Sequence, residues 1–462
     1  MKVLLISPNI ESLPDPVFPI GVACIAGALK ERGITFRILD LCFVQDFEKA
    51  LEDELTSYPP DLIGLSIRNL DNVSWPHYVS YVPFYRRVVE SVKRYTRAPI
   101  FLGGSGFSLM PGKVLEVLGA DGGIIGEGER AFTRLVQGIQ EAGKWPLEPE
   151  KRILSPGPIQ DLDALPLPDR SGFDNEAYLM KGGMGNIQTK RGCPFRCIYC
   201  TYPLIEGTRM RLRSPSRVCD EIADLLDQGI DNLFVVDSAF NYPPEHAEAV
   251  CREMVRRKLP VRWSCYLNPA FVTPRLMELM GEAGCSGVEF GTDAAHPEML
   301  RNLGKGFGME DVRRASEICR HSGMPFCHSL LLGGPGENLD TARRSLETVR
   351  TMEPTAVICM VGIRVFPGTR LARLGEREGI PDPASDLLNP VFYLAPGLEE
   401  EILSLVEEFS RDNPTWIFPG LNINMNHDLQ RKLRRFGLKG PLWEYMARGR
   451  RRLPTGSPRN EG

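Results

Sequence analysis

Three cysteines, Cys193, Cys197 and Cys200, fall within eight residues in Arg191-Gly192-Cys193-Pro194-Phe195-Arg196-Cys197-Ile198-Tyr199-Cys200, spaced C-x3-C-x2-C. Thiolates this close on one loop can share one metal centre without help from elsewhere in the chain. Three thiolates leave one corner of a cubane iron–sulfur cluster without a protein ligand. An iron with an open position can bind and reduce a small molecule, whereas a fully ligated cluster mainly carries electrons. A structural zinc site would want a fourth protein ligand close by, and the local sequence offers no obvious one.

Further polar and Gly-rich turns stand where strands end. They are Ser66-Ile67-Arg68-Asn69, Gly103-Gly104-Ser105-Gly106 and Gly126-Glu127-Gly128-Glu129. Any one of them reads as an ordinary turn. Three at one sheet edge suit a large ligand, because glycine lets backbone approach it and helix N-termini favour anionic groups. A dinucleotide is disfavoured, since Ser7-Pro8-Asn9 stands where a G-x-G-x-x-G fingerprint would follow the first strand.

The elements that must position these groups form two series. Short apolar, β-branched runs at Lys2–Ser7, Thr35–Asp40, Leu62–Ile67, Ile100–Gly103 and Gly123–Ile125 read as strands. Helical patterns near Ile20–Glu31, Phe47–Ser57, Val79–Tyr95, Lys113–Leu118 and Glu129–Ala142 alternate with them. This predicts an α/β, doubly wound (Rossmann-like) domain over residues 1–142, binding its ligand outside the carboxyl ends of the strands. Residues 143–185, with Leu165-Pro166-Leu167-Pro168, read as a linker. Over 186–375, strands at Asn186–Lys190, Asn232–Asp237, Arg262–Leu267, Gly287–Gly291, Phe326–Leu332 and Val357–Ile363 alternate with helices. Six βα units suit a partial (β/α)6 barrel with its chemistry at the C-terminal mouth, where the cysteine loop directly follows the first strand. Residues 376–462 read as a C-terminal cap or substrate region. It has one convincing helix (Leu398–Ser410), a stretch from Trp416 through Phe418 to Asn422, Asn424 and Asn426, and a basic, disordered tail from Arg448.

Composition sets outer bounds. The 462 residues allow two or three domains, and a net charge of −4 makes nucleic acid a poor partner. No apolar run reaches the roughly 18–20 residues of a membrane span. Twelve cysteines without an export signal suit a reducing cytoplasm. The nine outside the motif mostly sit in apolar runs, as small buried hydrophobes do.

The cysteine loop, with Tyr199 inside it, resembles the signature of the radical S-adenosylmethionine (SAM) superfamily. A doubly wound domain ahead of such a barrel resembles its cobalamin-binding subclass, over roughly residues 1–375. The resemblance implies three cofactors: a [4Fe–4S] cluster on Cys193, Cys197 and Cys200, SAM and cobalamin. Asp237 and Ser238, ending the second barrel strand, stand where relatives meet the SAM amino group, although the common Gly-Gly-Glu form is missing. Glu289 resembles the fourth-strand position that meets the ribose, and Leu332 lies in a fifth-strand motif (Leu331–Glu337) that packs near adenine. Arg364-Val365-Phe366-Pro367-Gly368-Thr369 resembles the sixth-strand ending, and Tyr199 would offer backbone to adenine and its ring to the cluster. Ser66, Arg68, Asn69, Gly103, Gly104, Ser105, Gly126, Glu127 and Gly128 would line the cobalamin site. No Asp-x-His-x-x-Gly occurs, which implies cobalamin without a lower histidine; His77 reads as a surface residue.

The activity so implied is methylation of an unactivated carbon of a small-molecule, lipid or natural-product substrate, through a 5′-deoxyadenosyl radical and methylcobalamin. Flavodoxin or ferredoxin would supply electrons. A cobalamin-dependent cyclase or rearrangement enzyme is the alternative. A methylthiotransferase would need three N-terminal cysteines, where only Cys24 and Cys42 occur. A non-enzymatic cobalamin or cluster sensor would leave the barrel without purpose.

Overall fold

A computed structural model describes residues 1–12, 15–142, 152–380, 385–424 and 427–446. The basic tail from Arg448 and the last asparagine of the alternation, Asn426, lie outside the described residues.

The first sheet has six parallel strands in the order β2-β1-β3-β4-β5-β6. They are β1 (Lys2–Ser7), β2 (Thr35–Asp40), β3 (Leu62–Ser66), β4 (Ile100–Gly103), β5 (Gly122–Ile124) and β6 (Ile153–Leu154). Its central strands are buried on both faces. Leu4, Ile6, Ile63 and Leu65 pack under one helix layer, and Val3, Leu5 and Leu62 under the other. That is why their sequences run apolar without alternation. The order reverses between β1 and β3, so ligand-binding loops gather beyond the carboxyl ends there. Helix Val82–Tyr95 starts later than Val79, because a bridge between Asp71 and Ser80 holds the preceding loop extended.

The segment expected to link the two units crosses the first. Gly27, in helix Ile20–Glu31, has no side chain to separate it from the Leu167 carbonyl, and the Asp169 amide donates to the Ala23 carbonyl at 2.9 Å. Two short strands follow: β7 (Gly185–Ile187) and β8 (Lys190–Arg191), the latter paired with β9 (Arg211–Leu212). The second sheet has seven parallel strands, not six, in the order β17-β14-β13-β12-β11-β10-β7. Its other members are β10 (Asn232–Val235), β11 (Arg262–Leu267), β12 (Cys285–Asp293), β13 (Phe326–Leu332) and β14 (Ala356–Val361). After the antiparallel pair β15 (Ile363–Arg364) and β16 (Phe392–Tyr393), the two-residue β17 (Trp416–Ile417) extends the sheet beside β14. Trp416 and Phe418 are buried in the core of this layer, and Asn424 donates to the Ser410, Asn413 and Trp416 carbonyls. Trp416, Phe418 and Asn424 thus belong to a packed cap.

Residue alternation separates the two faces of the curved sheet. Leu233, Val235, Cys265, Leu267, Val288 and Phe290 pack against the outer helices, as do Leu330, Leu332, Cys359 and Val361. The intervening Phe234, Tyr266, Glu289, Leu331 and Met360 therefore point inward. Tyr266 is 38 % exposed between neighbours at 0 % and 2 %, so this interior is hollow.

Candidate active site

The cysteine loop is fixed by close backbone approaches. Gly192 has φ 95°, and a side chain there would strike the Arg209 carbonyl. The Cys193 amide donates to the Gly207 carbonyl at 3.0 Å, the Ile198 amide to Leu303, and the Leu371 amide to the Ile198 carbonyl. Gly304 lets that neighbouring turn press against the Arg196 carbonyl. Phe195, Tyr242 and Phe271 pack ring against ring over the loop, with centroids 4.8–6.2 Å apart.

All three cysteines are free thiols. Burial pushes each upward, Cys200 to about 12. Such thiols ionise at neutral pH only beside a strong cation, which iron provides. The residues therefore fit a cluster. Lys305 adds a positive charge: burial pulls its pKa down, but Asp293 and then Cys197 outweigh this and raise it.

Asp293 ends β12 with φ 62°, and its carboxylate accepts from both the Tyr199 hydroxyl and the Lys305 ammonium. This Tyr199–Asp293–Lys305 group stands beside Cys197 at the barrel mouth. The sequence reading missed Asp293 and Lys305. The turn after a fourth strand was the only available signal, and it does not pair residues twelve apart.

Several expected SAM contacts are placed differently. Asp237 is fully buried, and its oxygens accept the Thr189 and Lys190 amides and the Thr189 hydroxyl beside the Lys190 ammonium. It is a strand-end brace that presents nothing to the mouth. Ser238 does reach the loop, donating to the Gly192 carbonyl at 3.2 Å. The Leu332 side chain faces the outer helices, so only backbone from that turn is available to a ligand. Within the same motif the Glu337 carboxylate accepts the Gly333 and Gly334 amides, and burial raises it to about 7. Glu289 lies mid-strand, deep in the interior. Its Oε1 accepts the Trp443 indole N–H at 2.8 Å, and burial lifts the carboxyl to about 7.

The three turns of the first sheet interlock. Ser105 Oγ donates to the Arg68 carbonyl at 2.7 Å, Ser108 Oγ to Gly104 at 2.8 Å, and the Gly126 amide to Ser108 Oγ at 2.9 Å. Tyr85 donates to the Asn69 carbonyl at 3.0 Å. Gly104 has φ 89°, and a Cβ there would lie 2.5 Å from the Ile67 carbonyl. A Cβ at Gly103, beside Ser66 on the sheet edge, would meet nothing. This open, glycine-floored edge fits a large planar cofactor. Arg68 is half-buried beside Tyr85, Tyr81, Tyr202 and Glu11, and desolvation lowers its pKa. Two expected members point elsewhere. Gly128 abuts Ile25 of helix Ile20–Glu31, and Glu127 is spent on Arg191, Arg211 and the Ile159 amide.

Those last contacts join the two sheets. Arg191 pairs with Glu129 at 2.6 Å and with Glu127 at 3.4 Å, two residues ahead of Cys193. Asp71 pairs with Arg364 at 2.9 Å, and Asn186 donates to the Phe18 carbonyl. The carboxyl edges of both sheets thus face one another, with the cysteine loop between.

Comparison with known proteins agrees with this geometry. The model of the B12 binding domain matches residues 6–136, and that of the radical SAM superfamily matches residues 187–349. Tryptophan 2-C-methyltransferase of Streptomyces laurentii is 30 % identical, over 80 % of this chain and 74 % of its own length. The chain belongs to the cobalamin-dependent radical SAM methyltransferases. The radical SAM methyltransferase TsrM from Kitasatospora setae, solved with tryptophan and a SAM analogue, superposes with TM-score 0.86 at 26 % identity, covering 96 % of this chain and 98 % of that one. The same enzyme has been solved with cobalamin and a [4Fe–4S] cluster. The cobalamin-dependent radical enzyme OxsB shares the fold, with TM-score 0.74 at 14 % identity over 94 % of this chain and 72 % of that one. This family member therefore uses a [4Fe–4S] cluster, SAM and cobalamin, and methyl transfer rather than cyclisation or rearrangement is its reaction class. Among the described residues no helix is long and apolar enough to cross a membrane.

Proposed function

We propose that the chain methylates a ring carbon of an aromatic amino acid, tryptophan first among them, held inside the barrel below the cobalamin-binding edge. The observation that carries this reading is the hollow interior. Phe234 and Tyr266 meet edge to face at 4.9 Å, Leu331 and Met360 face inward with them, and the buried Glu289 carboxyl supplies a polar contact. Aromatic walls bind a flat ring through offset and edge-to-face contacts, and a buried acceptor wants an N–H or O–H donor from that ring. The tryptophan named for the relatives has both features. A lipid would leave Glu289 unmatched.

When bound, the cluster, SAM and cobalamin supply one-electron chemistry and methyl carriage. In this reading Cys193, Cys197 and Cys200 hold the cluster, and Lys305 offsets its negative charge. Ser238, Asp293 and Tyr199 orient SAM at the mouth, with Asp293 in the ribose-binding role first given to Glu289. Ser66, Arg68, Asn69, Gly103, Gly104, Ser105 and Gly126 line the cobalamin edge. The Phe195, Tyr242 and Phe271 rings exclude water from the loop. A low-potential carrier such as flavodoxin or ferredoxin delivers electrons, and the twelve unpaired thiols suit the reducing cytoplasm where such carriers work.

The test is anaerobic incubation of the reconstituted holoenzyme with L-tryptophan and SAM carrying a ¹³C methyl. The expected result is a ¹³C-methyl group on an indole carbon, formed with S-adenosylhomocysteine. Absence of labelled product from tryptophan, tyrosine and phenylalanine alike would refute the reading.

A further inference from the structure

The far end of the barrel interior is closed by a segment with no counterpart in the βα pattern. Residues 434–445 return beneath the sheet and are tied down along their length. Arg434 pairs with Asp15 at 2.6 Å and donates to the Leu438 and Gly440 carbonyls. The Gly440 amide donates to Gly183, and Tyr445 donates to the Lys439 carbonyl. Glu444 pairs with Arg262 at the start of β11 and accepts from Ser286 at the start of β12. Between these ties Leu442 and Trp443 enter the interior and pack with Cys327, Ala356 and Ile417.

The fit is specific. Gly287, inward-facing on β12, leaves room for the Trp443 ring: a Cβ there would lie 2.9 Å from Trp443 Cη2. The indole N–H then meets Glu289 one inward position higher. The other Glu289 oxygen has no hydrogen-bond partner among the described residues, and above it the interior opens past Tyr266. A carboxyl held by one oxygen from below presents the other upward.

We propose that residues 438–445 are a plug forming the floor of the substrate cavity, and that Trp443 is a positioning residue that aims the Glu289 carboxyl at the bound substrate. This rests on the reading that the interior is the substrate site. The plug sets how deep a ring can sit, and the indole N–H sets where its donor must be. The ionisable groups facing Glu289 are Tyr266 on β11, Cys327 on β13 and Glu444 in the plug, whose charge Arg262 balances. The Trp443 bond favours the ionised form of Glu289, opposing burial and Glu444.

Two arms on the holoenzyme test this. In steady-state methylation of tryptophan, Trp443→Phe, which keeps the ring and removes the N–H, should raise KM roughly tenfold with kcat held within about twofold, the size expected for one hydrogen bond. Iron and cobalamin content should not change. In infrared titration, the Glu289 carboxyl band is the one lost in Glu289→Gln. Its midpoint should move up by roughly one pH unit in Trp443→Phe, since a bond that favours the anion is gone. The same upward move is expected in Gly287→Ala, which displaces the ring without touching Trp443 and replaces the first variant if that one does not fold. An unmoved midpoint, or equal losses in kcat and cofactor content, would overturn the proposal. If the wild type methylates none of tryptophan, tyrosine and phenylalanine, the substrate reading fails, and the infrared arm alone decides whether Trp443 positions Glu289.

Discussion

Replacing Glu289 by Gln should stabilise the protein at alkaline pH while abolishing its activity. The carboxyl is 7 % exposed and sits in the barrel interior at about 7, against an ordinary value of 4.5. Burial is the main cause, and Glu444 adds to it. A raised carboxyl means the folded state binds a proton that the unfolded chain has released. Folding stability therefore falls as pH climbs from 4.5 to 7, and the loss is complete above that. The gap between about 7 and 4.5 corresponds to about 3 kcal/mol at pH 8 and to nothing near pH 4.5. Glutamine removes the ionisation and keeps an oxygen for the Trp443 N–H, so the variant should recover most of this penalty. At roughly 2 °C per kcal/mol, the barrel transition should rise by about 6 °C at pH 8. At pH 5 the wild type and variant should melt within about 2 °C of each other, by the same arithmetic. The assay is anaerobic calorimetry of the cofactor-loaded protein at both pH values, with methylation measured on the same samples. A variant no more stable than wild type at pH 8 would refute the burial argument. A variant that is stabilised yet fully active would refute the role of Glu289 in holding substrate.

Other replacements separate the two cofactor sites. Cys197→Ala should abolish methyl transfer and lower iron content while cobalamin absorbance stays, because its ligand role ends at the cluster; loss of both would instead mean misfolding. Gly104→Ala forces a side chain into a turn at φ 89°, with its Cβ 2.5 Å from the Ile67 carbonyl, so cobalamin binding should weaken at least tenfold while iron content holds. Lys305→Met removes the cation beside Cys197, and the cluster should become harder to reduce, read as a more negative midpoint in an electron paramagnetic resonance titration.

The parts legible from sequence were those whose information is local. The cysteine loop declares itself by spacing, and the strands of both sheets by short apolar runs between glycine and polar turns. That Glu289 faces inward was likewise readable, since Val288 and Phe290 flank it. Asp237 and Glu127 misled because a carboxylate at a strand end looks the same whether it faces a ligand or a partner. Only the fold shows Asp237 consumed by Thr189 and Lys190, and Glu127 by Arg191 and Arg211. Leu332 misled by parity, since the inward residue of that motif is Leu331. The plug was invisible, because Gly287 and Trp443 are far apart in sequence and mean little until the chain returns beneath the sheet.

The Arg191 contacts explain how two separate sheets can serve one reaction. A buried Arg–Glu group contributes little net stability, because desolvation cancels most of the attraction, and an apolar replacement would hold the sheets together as well. It would not hold them in one register. Arg191 is two residues before Cys193, and its guanidinium must meet Glu129 and Glu127 at the end of the first sheet, while Arg211 on the paired strand meets the same Glu127. Sliding either sheet strands a charge in a dry interface, at a cost of roughly 3–5 kcal/mol, so intermediate placements are sparsely populated. Reactions between bound groups lose about a hundredfold for each ångström of misplacement. The ion group therefore acts on rate through geometry: the residues that follow the first barrel strand are positioned by carboxylates of the cobalamin-side sheet. The cluster loop and the cobalamin edge are thereby referenced to the same few atoms.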